Sequence, residues 1–181
     1  MLDYENYPVI AAVRSEADFE MALNSDIQAI FLLSCNIMNV KELTDKAHDK
    51  NKLLFIHMDF VEGLSKDHAG VFYLSTKNVD GIISTRSNII IAAKKLGICC
   101  VQRFFMVDSR SVDTALDSLR QSQPDLIEIM PGIVYKSIAR IKNRIKIPII
   151  AGGLVETKEE VFSALNAGAD MVSTGERKLW D

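Results

Sequence analysis

The chain has 181 residues, 48% apolar and 25% charged, with a formal net charge of −3. That balance suits a globular protein with a sizeable core, read as one domain over 1–181. It excludes a uniformly basic nucleic-acid binder, and with no run of 18 apolar residues no membrane span is expected.

The opening stretch, MLDYENYPVI, is acidic and polar, unlike a signal peptide. Short apolar runs then recur and read as strands at 9–14, 29–35, 53–59, 81–85, 99–105, 126–130, 148–152 and 171–174. Each is close to continuously apolar, as in strands covered on both faces. The segments between them carry helix signals. Ser15 precedes EADFEMALNS, with Phe19, Ala22 and Leu23 on one face. Asp108 or Ser109 is placed to cap VDTALDSLRQ. Glu156 and Thr157 open KEEVFSALNAG, with Gly168 at its end.

Eight alternations of strand and helix predict an α/β fold, a small single-domain (β/α)₈ TIM-type barrel. A doubly wound sheet is the alternative, but it usually has fewer strands. Only Gly175 and ERKLWD follow the eighth run, so the last helix is expected to be truncated or missing. The flank beside it is expected to be thinly covered, which would suit a homo-oligomer interface. Cys35, Cys99 and Cys100 are odd in number and lie in strand-like runs without metal-type spacing. They read as reduced cytoplasmic thiols.

Barrels of this type place their sites at the C-terminal ends of the strands. Arg14, His57, Asp59, Arg86, Gln102, Arg103 and Glu128 sit in or just beyond the apolar runs. A buried charge is costly unless it is paired or used. These seven are the candidate ligand-binding residues, weighed against a plug of ion pairs. Alternation along a strand puts His57 and Asp59 on one face and lets Glu128 point inward. Only one of Gln102 and Arg103 can do so. Gly152 and Gly153 end the seventh run, and Ser173, Thr174 and Gly175 end the eighth. Glycines let backbone N–H groups approach an anion. These five form the candidate phosphate cradle. His57 could also act as a general base with Asp59 or Glu128. No lysine lies in the strands to form a Schiff base, and the scattered carboxylates fall short of a metal site. No metal or cofactor is predicted.

Segment 136–146, KSIARIKNRIK, holds Lys136, Arg140, Lys142, Arg144 and Lys146 without an acid. Lys136, Arg140 and Arg144 are spaced by four and share one helical face. A solvated helix face and a track for RNA phosphates are the two readings.

HMDFVEGLSKD, GIISTR, QRFFMVD, PDLIEIMPGIV, IPIIAGG and KLW occur in this order from about Pro8 to Trp180. Together they resemble the glycerol-3-phosphate-responsive antiterminators, regulators of glycerol uptake and utilisation operons. The resemblance implies a cytoplasmic bacterial regulator that senses glycerol-3-phosphate and acts on leader mRNA. On that reading glycerol-3-phosphate is an effector at the barrel mouth, and the protein is not an enzyme. The competing reading is an isomerase or lyase on a small phosphorylated metabolite, with His57 or Glu128 as the acid–base group. A protein-binding module without either activity is the third.

Overall fold

The apolar runs close on one another. The computed structural model describes residues 2–181 and contains eight parallel strands in a closed barrel. In chain order these are β1 (Val9–Val13), β2 (Ala29–Leu32), β4 (Leu53–His57), β6 (Gly81–Ser84), β7 (Cys99–Phe105), β8 (Leu126–Met130), β9 (Ile149–Gly152) and β10 (Met171–Thr174). Around the barrel the order is β1-β10-β9-β8-β7-β6-β4-β2, with β2 returning to β1 through pairs such as Ala12 with Phe31. Two short strands, β3 (Cys35–Asn36) and β5 (Val61–Glu62), pair separately above the mouth.

The period of two along each strand sorts side chains between two cores. Inside, each barrel strand contributes to one cluster: Ile10, Phe31, Phe55, Ile83, Val101, Leu126, Ile150 and Met171. The Phe31 and Phe55 rings meet at 5.4 Å with a 49° tilt. Each such ring removed from water is worth about 1.5–3 kcal/mol. Outside, Ile30, Leu54, Ile56 and Ile82 share one cluster with the neighbouring helices, and Ile127, Ile129, Ile149 and Val172 share another.

The helices are α1 (Glu16–Leu23), α2 (Val40–Asp49), α3 (His68–Ser75), α4 (Ser87–Lys95), α5 (Arg110–Ser122), α6 (Tyr135–Lys142) and α7 (Lys158–Asn166). Their starts follow capping chemistry. Ser15 accepts from the Asp18 N–H, and Thr157 forms a reciprocal capping box with Glu160. Of the two residues expected to cap α5, Asp108 does so, accepting from the N–H groups of Arg110 and Ser111. Gly168 follows α7 at φ +105°, a left-handed conformation natural to glycine.

Five of the eight runs are shorter than the sequence reading: the fourth ends at Ser84 and the seventh opens at Ile149, a residue each, and the other three move a named side chain. The first run stops at Val13, leaving Arg14 in the loop. The second stops at Leu32, and Cys35 joins the separate β3. The third stops at His57 and turns through a single 3₁₀ turn, Met58–Phe60, so Asp59 does not lie on a strand. A continuous apolar run carries no mark of where its ladder ends.

After β10 a 3₁₀ turn, Arg177–Leu179, stands where an eighth helix would pack. Trp180 is buried in the cluster that includes Phe19 and Ala22 of α1, and Leu179 in the cluster that includes Val161 and Ala164 of α7. The Trp180 indole N–H donates to the Thr174 carbonyl at 3.0 Å. These two side chains fill the expected gap. Among the described residues no helix is long and apolar enough to cross a membrane.

Candidate functional site

At the C-terminal end of the barrel the inward positions change from apolar to polar. Arg103 of β7, Glu128 of β8 and Ser173 of β10 stand one step beyond Val101, Leu126 and Met171. Arg103 donates through Nε to Glu128 Oε2 at 2.5 Å, and Ser173 Oγ donates to Glu128 Oε1 at 2.6 Å. Both charges are almost wholly buried. A Cβ on Gly152 would fall 2.3 Å from Glu128 Oε1 and 2.6 Å from Ser173 Oγ. Gly152 therefore makes room for the Glu128 carboxylate, which takes the space that the cradle reading had left for a phosphate.

Above this layer opens a cavity of about 600 Å³, lined among others by Arg14, Arg103, Glu128, Gly153, Ser173 and Gly175. Gly153 has φ +76°, and a Cβ there would lie 2.6 Å from the Met130 methyl. Leu154 follows at φ 59°. The N–H groups of Gly153, Leu154 and Gly175 make no hydrogen bond within the described residues. Arg14 forms no ion pair there either. The cradle is thus narrower than expected. Thr174 lines the cavity, but its hydroxyl donates to the Val155 carbonyl at 2.6 Å and accepts from the Glu176 N–H at 3.0 Å. It ties two loops together. Nor does α7 offer an empty N-terminus, because Glu159 and Glu160 occupy its first turn. Asp18, Glu156 and Glu176 also line the cavity, so its charge is mixed.

His57, Asp59 and Arg86 stand on the β4–β6 side of the mouth. Asp59 accepts from Ser84 Oγ at 3.1 Å and from the Thr85 N–H at 3.0 Å, and its Oδ1 lies 3.4 Å from Arg86 Nε. It fastens the turn after β4 to the end of β6. His57 is 2% exposed, and neither ring nitrogen has a hydrogen-bond partner. The Asp59 carboxylate lies 3.9 Å away, Oδ2 to Nδ1, too far for a hydrogen bond. The Phe60 ring lies against it with centroids 4.4 Å apart. Burial foremost, and then the Arg103 charge, push the imidazole pKa down to about 4. His57 is neutral at neutral pH.

Gln102 is a correction. Register places Arg103 inward, so Gln102 faces the helices. Its amide donates to Ser87 Oγ and Ser118 Oγ at 3.1 and 3.0 Å and accepts from Ser122 Oγ at 2.5 Å. It joins α4 to α5 and does not reach the mouth.

Lys66 escaped the sequence reading because it lies on no strand. The chain turns at Gly63 (φ +74°), and Lys66 donates to the Val61 carbonyl. Partial burial lowers its pKa, against the opposing pull of Asp59. The short HMDFVEGLSK connection was the available signal: nine residues after His57, the lysine is too close along the chain to go far. The three thiols show no activation. Burial pushes Cys35 and Cys99 up to about 11 and Cys100 up to about 12.

The basic segment has lost part of its charge to pairing. Lys142 bonds Asp170 at 2.6 Å, and Arg144 lies 3.2 Å from Asp113. Lys136, Arg140 and Lys146 have no ion-pair partner among the described residues. A second cleft, about 670 Å³, lies between α5 and the segment after α6, with Leu116, Arg120, Arg144 and Lys146 in its wall. It holds none of the inward polar groups of the barrel.

Residues 9–180 match the family model for glycerol-3-phosphate-responsive antiterminators. Over 174 residues the chain is 38% identical to YgcP, an uncharacterized protein of Escherichia coli, across 96% of this chain and 91% of that one. A glycerol uptake operon antiterminator regulatory protein from Listeria monocytogenes superposes with a TM-score of 0.94 at 35% identity, covering 99% of this chain and 97% of that one. A glycerol uptake operon antiterminator-related protein from Thermotoga maritima does so with a TM-score of 0.87 at 32% identity, covering 96% and 98%. Aldolases at 18% identity or less share the fold alone.

Proposed function

Since the chain belongs to the glycerol-3-phosphate-responsive antiterminator family, we propose that glycerol-3-phosphate binds in the cavity above β8, β9 and β10 and controls its grip on leader mRNA. The observation that carries this reading is the cavity itself. It sets the unpartnered N–H groups of Gly153 and Gly175 and the unpaired Arg14 beside Arg103, Glu128 and Ser173. The first group suits a phosphate, the second glycerol hydroxyls. Acids at the rim offset the field of Arg14, so short-range N–H donors do more than net charge to hold the phosphate.

The RNA is assigned to the exposed cations of α6 and its following turn, Lys136, Arg140 and Lys146. The effector acts only by binding the RNA-competent arrangement more tightly than the other. The protein works in the cytoplasm as a regulator, and a non-enzymatic role is supported by two features. No barrel strand carries a lysine, and Glu128 is committed to Arg103 and Ser173 rather than held free as a base.

The test is binding of a glycerol-operon leader RNA with and without glycerol-3-phosphate. Ligand should tighten RNA binding in the parent protein. Gly153→Val forces a side chain into a left-handed position and against Met130, and should weaken glycerol-3-phosphate by about tenfold or more, roughly 1.4 kcal/mol. Turnover of a triose or glycerol phosphate without any RNA binding would replace this reading with the isomerase or lyase.

A further inference from the structure

The β4–β6 side of the mouth has a feature that the cavity above β8–β10 does not explain. His57 is buried with both ring nitrogens unpartnered. Buried polar groups nearly always find a partner, because leaving one unmade costs the full desolvation of that group. Around it the charges do not cancel. Arg103 is matched by Glu128, which leaves Lys66 and Arg86 against Asp59 alone. Lys66 is partly buried and donates to a carbonyl, and forms no carboxylate pair among the described residues. Arg86 is half exposed and reaches Asp59 only at 3.4 Å. A surplus cation in a chain of net charge −3 sits beside an unsatisfied imidazole.

We propose that this side of the mouth is a second oxyanion subsite, where Lys66 and Arg86 hold the phosphate of a hydroxyl-bearing phosphate ester and His57 hydrogen-bonds the ester's oxygens. A neutral imidazole offers one donor and one acceptor. A phosphate oxygen takes the donor, and a neighbouring hydroxyl gives to the acceptor. Asp59 positions Arg86, and the exposed Phe60 ring screens the imidazole until the ester enters. Two sources share this chemistry: a free small phosphate ester, and an RNA backbone with its 2′-hydroxyl. The proposal goes beyond the cavity reading, because it gives the mouth two anion positions.

The His57 ring resonances in ¹H–¹⁵N spectra, identified by their loss in His57→Gln, report the subsite directly. Three probes are used: glycerol-3-phosphate, a short single-stranded oligoribonucleotide, and its deoxy counterpart. A His57 response to glycerol-3-phosphate that survives Gly153→Val assigns the subsite to a free ester. A response to the ribo- but not the deoxy-oligonucleotide assigns it to RNA. For the probe that acts, Lys66→Met and Arg86→Gln should each weaken binding about tenfold, the scale of one charge-assisted contact, and Lys66→Arg should restore most of it. Arg86 is exposed, so its variant carries the test if Lys66→Met unfolds. Loss of the glycerol-3-phosphate response in Gly153→Val, with no response to either oligonucleotide, leaves one anion site and overturns this proposal while the cavity reading stands. Silence of His57 toward all three probes also overturns it.

Discussion

Glu128 and His57 are buried in one layer and meet opposite fates. Glu128 gains a charge partner in Arg103 and a hydroxyl donor in Ser173. Removing one member of such a pair leaves the other charged and uncompensated. Glu128→Gln should therefore cost about 3–5 kcal/mol of stability, read by denaturant unfolding at pH 7. Asp59→Asn should cost less, since Asp59 lies in a turn and is partly open to water. His57 gains no partner and stays neutral. Its pKa near 6.5 in an unfolded chain falls to about 4 in the folded one. Between these values the unfolded chain binds a proton that the folded chain refuses. Stability from this group is present in full above about pH 6.5 and is lost as pH falls toward 4. The loss should reach about 3 kcal/mol at the acid end. The charges that act on the ring are those of Arg103, Asp59 and Lys66. Comparing parent and His57→Gln unfolding at pH 7 and pH 4.5 isolates the effect: the parent should lose more stability than the variant. Equal losses would mean that the ring is not desolvated.

At the scale of elements, α6 shows why a charge run is not yet a binding surface. Five cations were counted in its segment, and tertiary neighbours claim two. Lys142 packs its methylenes near Gly168 and its ammonium on Asp170, which also accepts from the Ile149 N–H. That lysine braces α6 against the entry to β9. Arg144 reaches Asp113 on α5, an exposed pair that contributes little to stability. Replacing Lys136, Arg140 and Lys146 by Gln should lower the log–log salt slope of RNA binding by about 2, at roughly 0.7 per single-strand phosphate contact. Lys142→Gln should instead lower the melting temperature. Glycerol-3-phosphate affinity should survive the triple variant, because the outer helix face and the barrel mouth share no residue. An unchanged salt slope would move the RNA surface off α6.

For the whole molecule, the outer flank between α1 and α7 is filled by a segment too short to form an α-helix. Trp180 and Leu179 stand in for the eighth helix between α1 and α7, and the Arg177–Asp18 pair holds the turn against α1. Trp180→Ala removes a fully buried indole and should cost about 3–5 kcal/mol. At about 2–4 °C per kcal/mol for a domain near this size, the melting temperature should drop by roughly 10 °C. Glycerol-3-phosphate affinity should fall as well, since the indole anchors the Thr174 carbonyl immediately before Gly175. A destabilised variant with unchanged affinity would show that the plug supports the fold and not the site.

The sequence by itself determined the barrel, because its evidence is local. Buried parallel strands must be continuously apolar, and helices announce themselves through Ser15, Thr157 and Gly168 within a turn of where they begin or end. It also determined that polar groups gather at one end of the strands. Pairing is what only the tertiary structure decided. Whether Arg103 or Gln102 enters the barrel depends on register, which shifts a side chain to the opposite face with each residue. Whether Gly152 serves an anion or a carboxylate depends on Glu128, 24 positions away along the chain. Lys142 and Arg144 lost their freedom to Asp170 and Asp113 in the same way. Hydrogen bonds and ion pairs act over about 3 Å, and nothing in a linear spacing states which distant residues the closed barrel will bring that close.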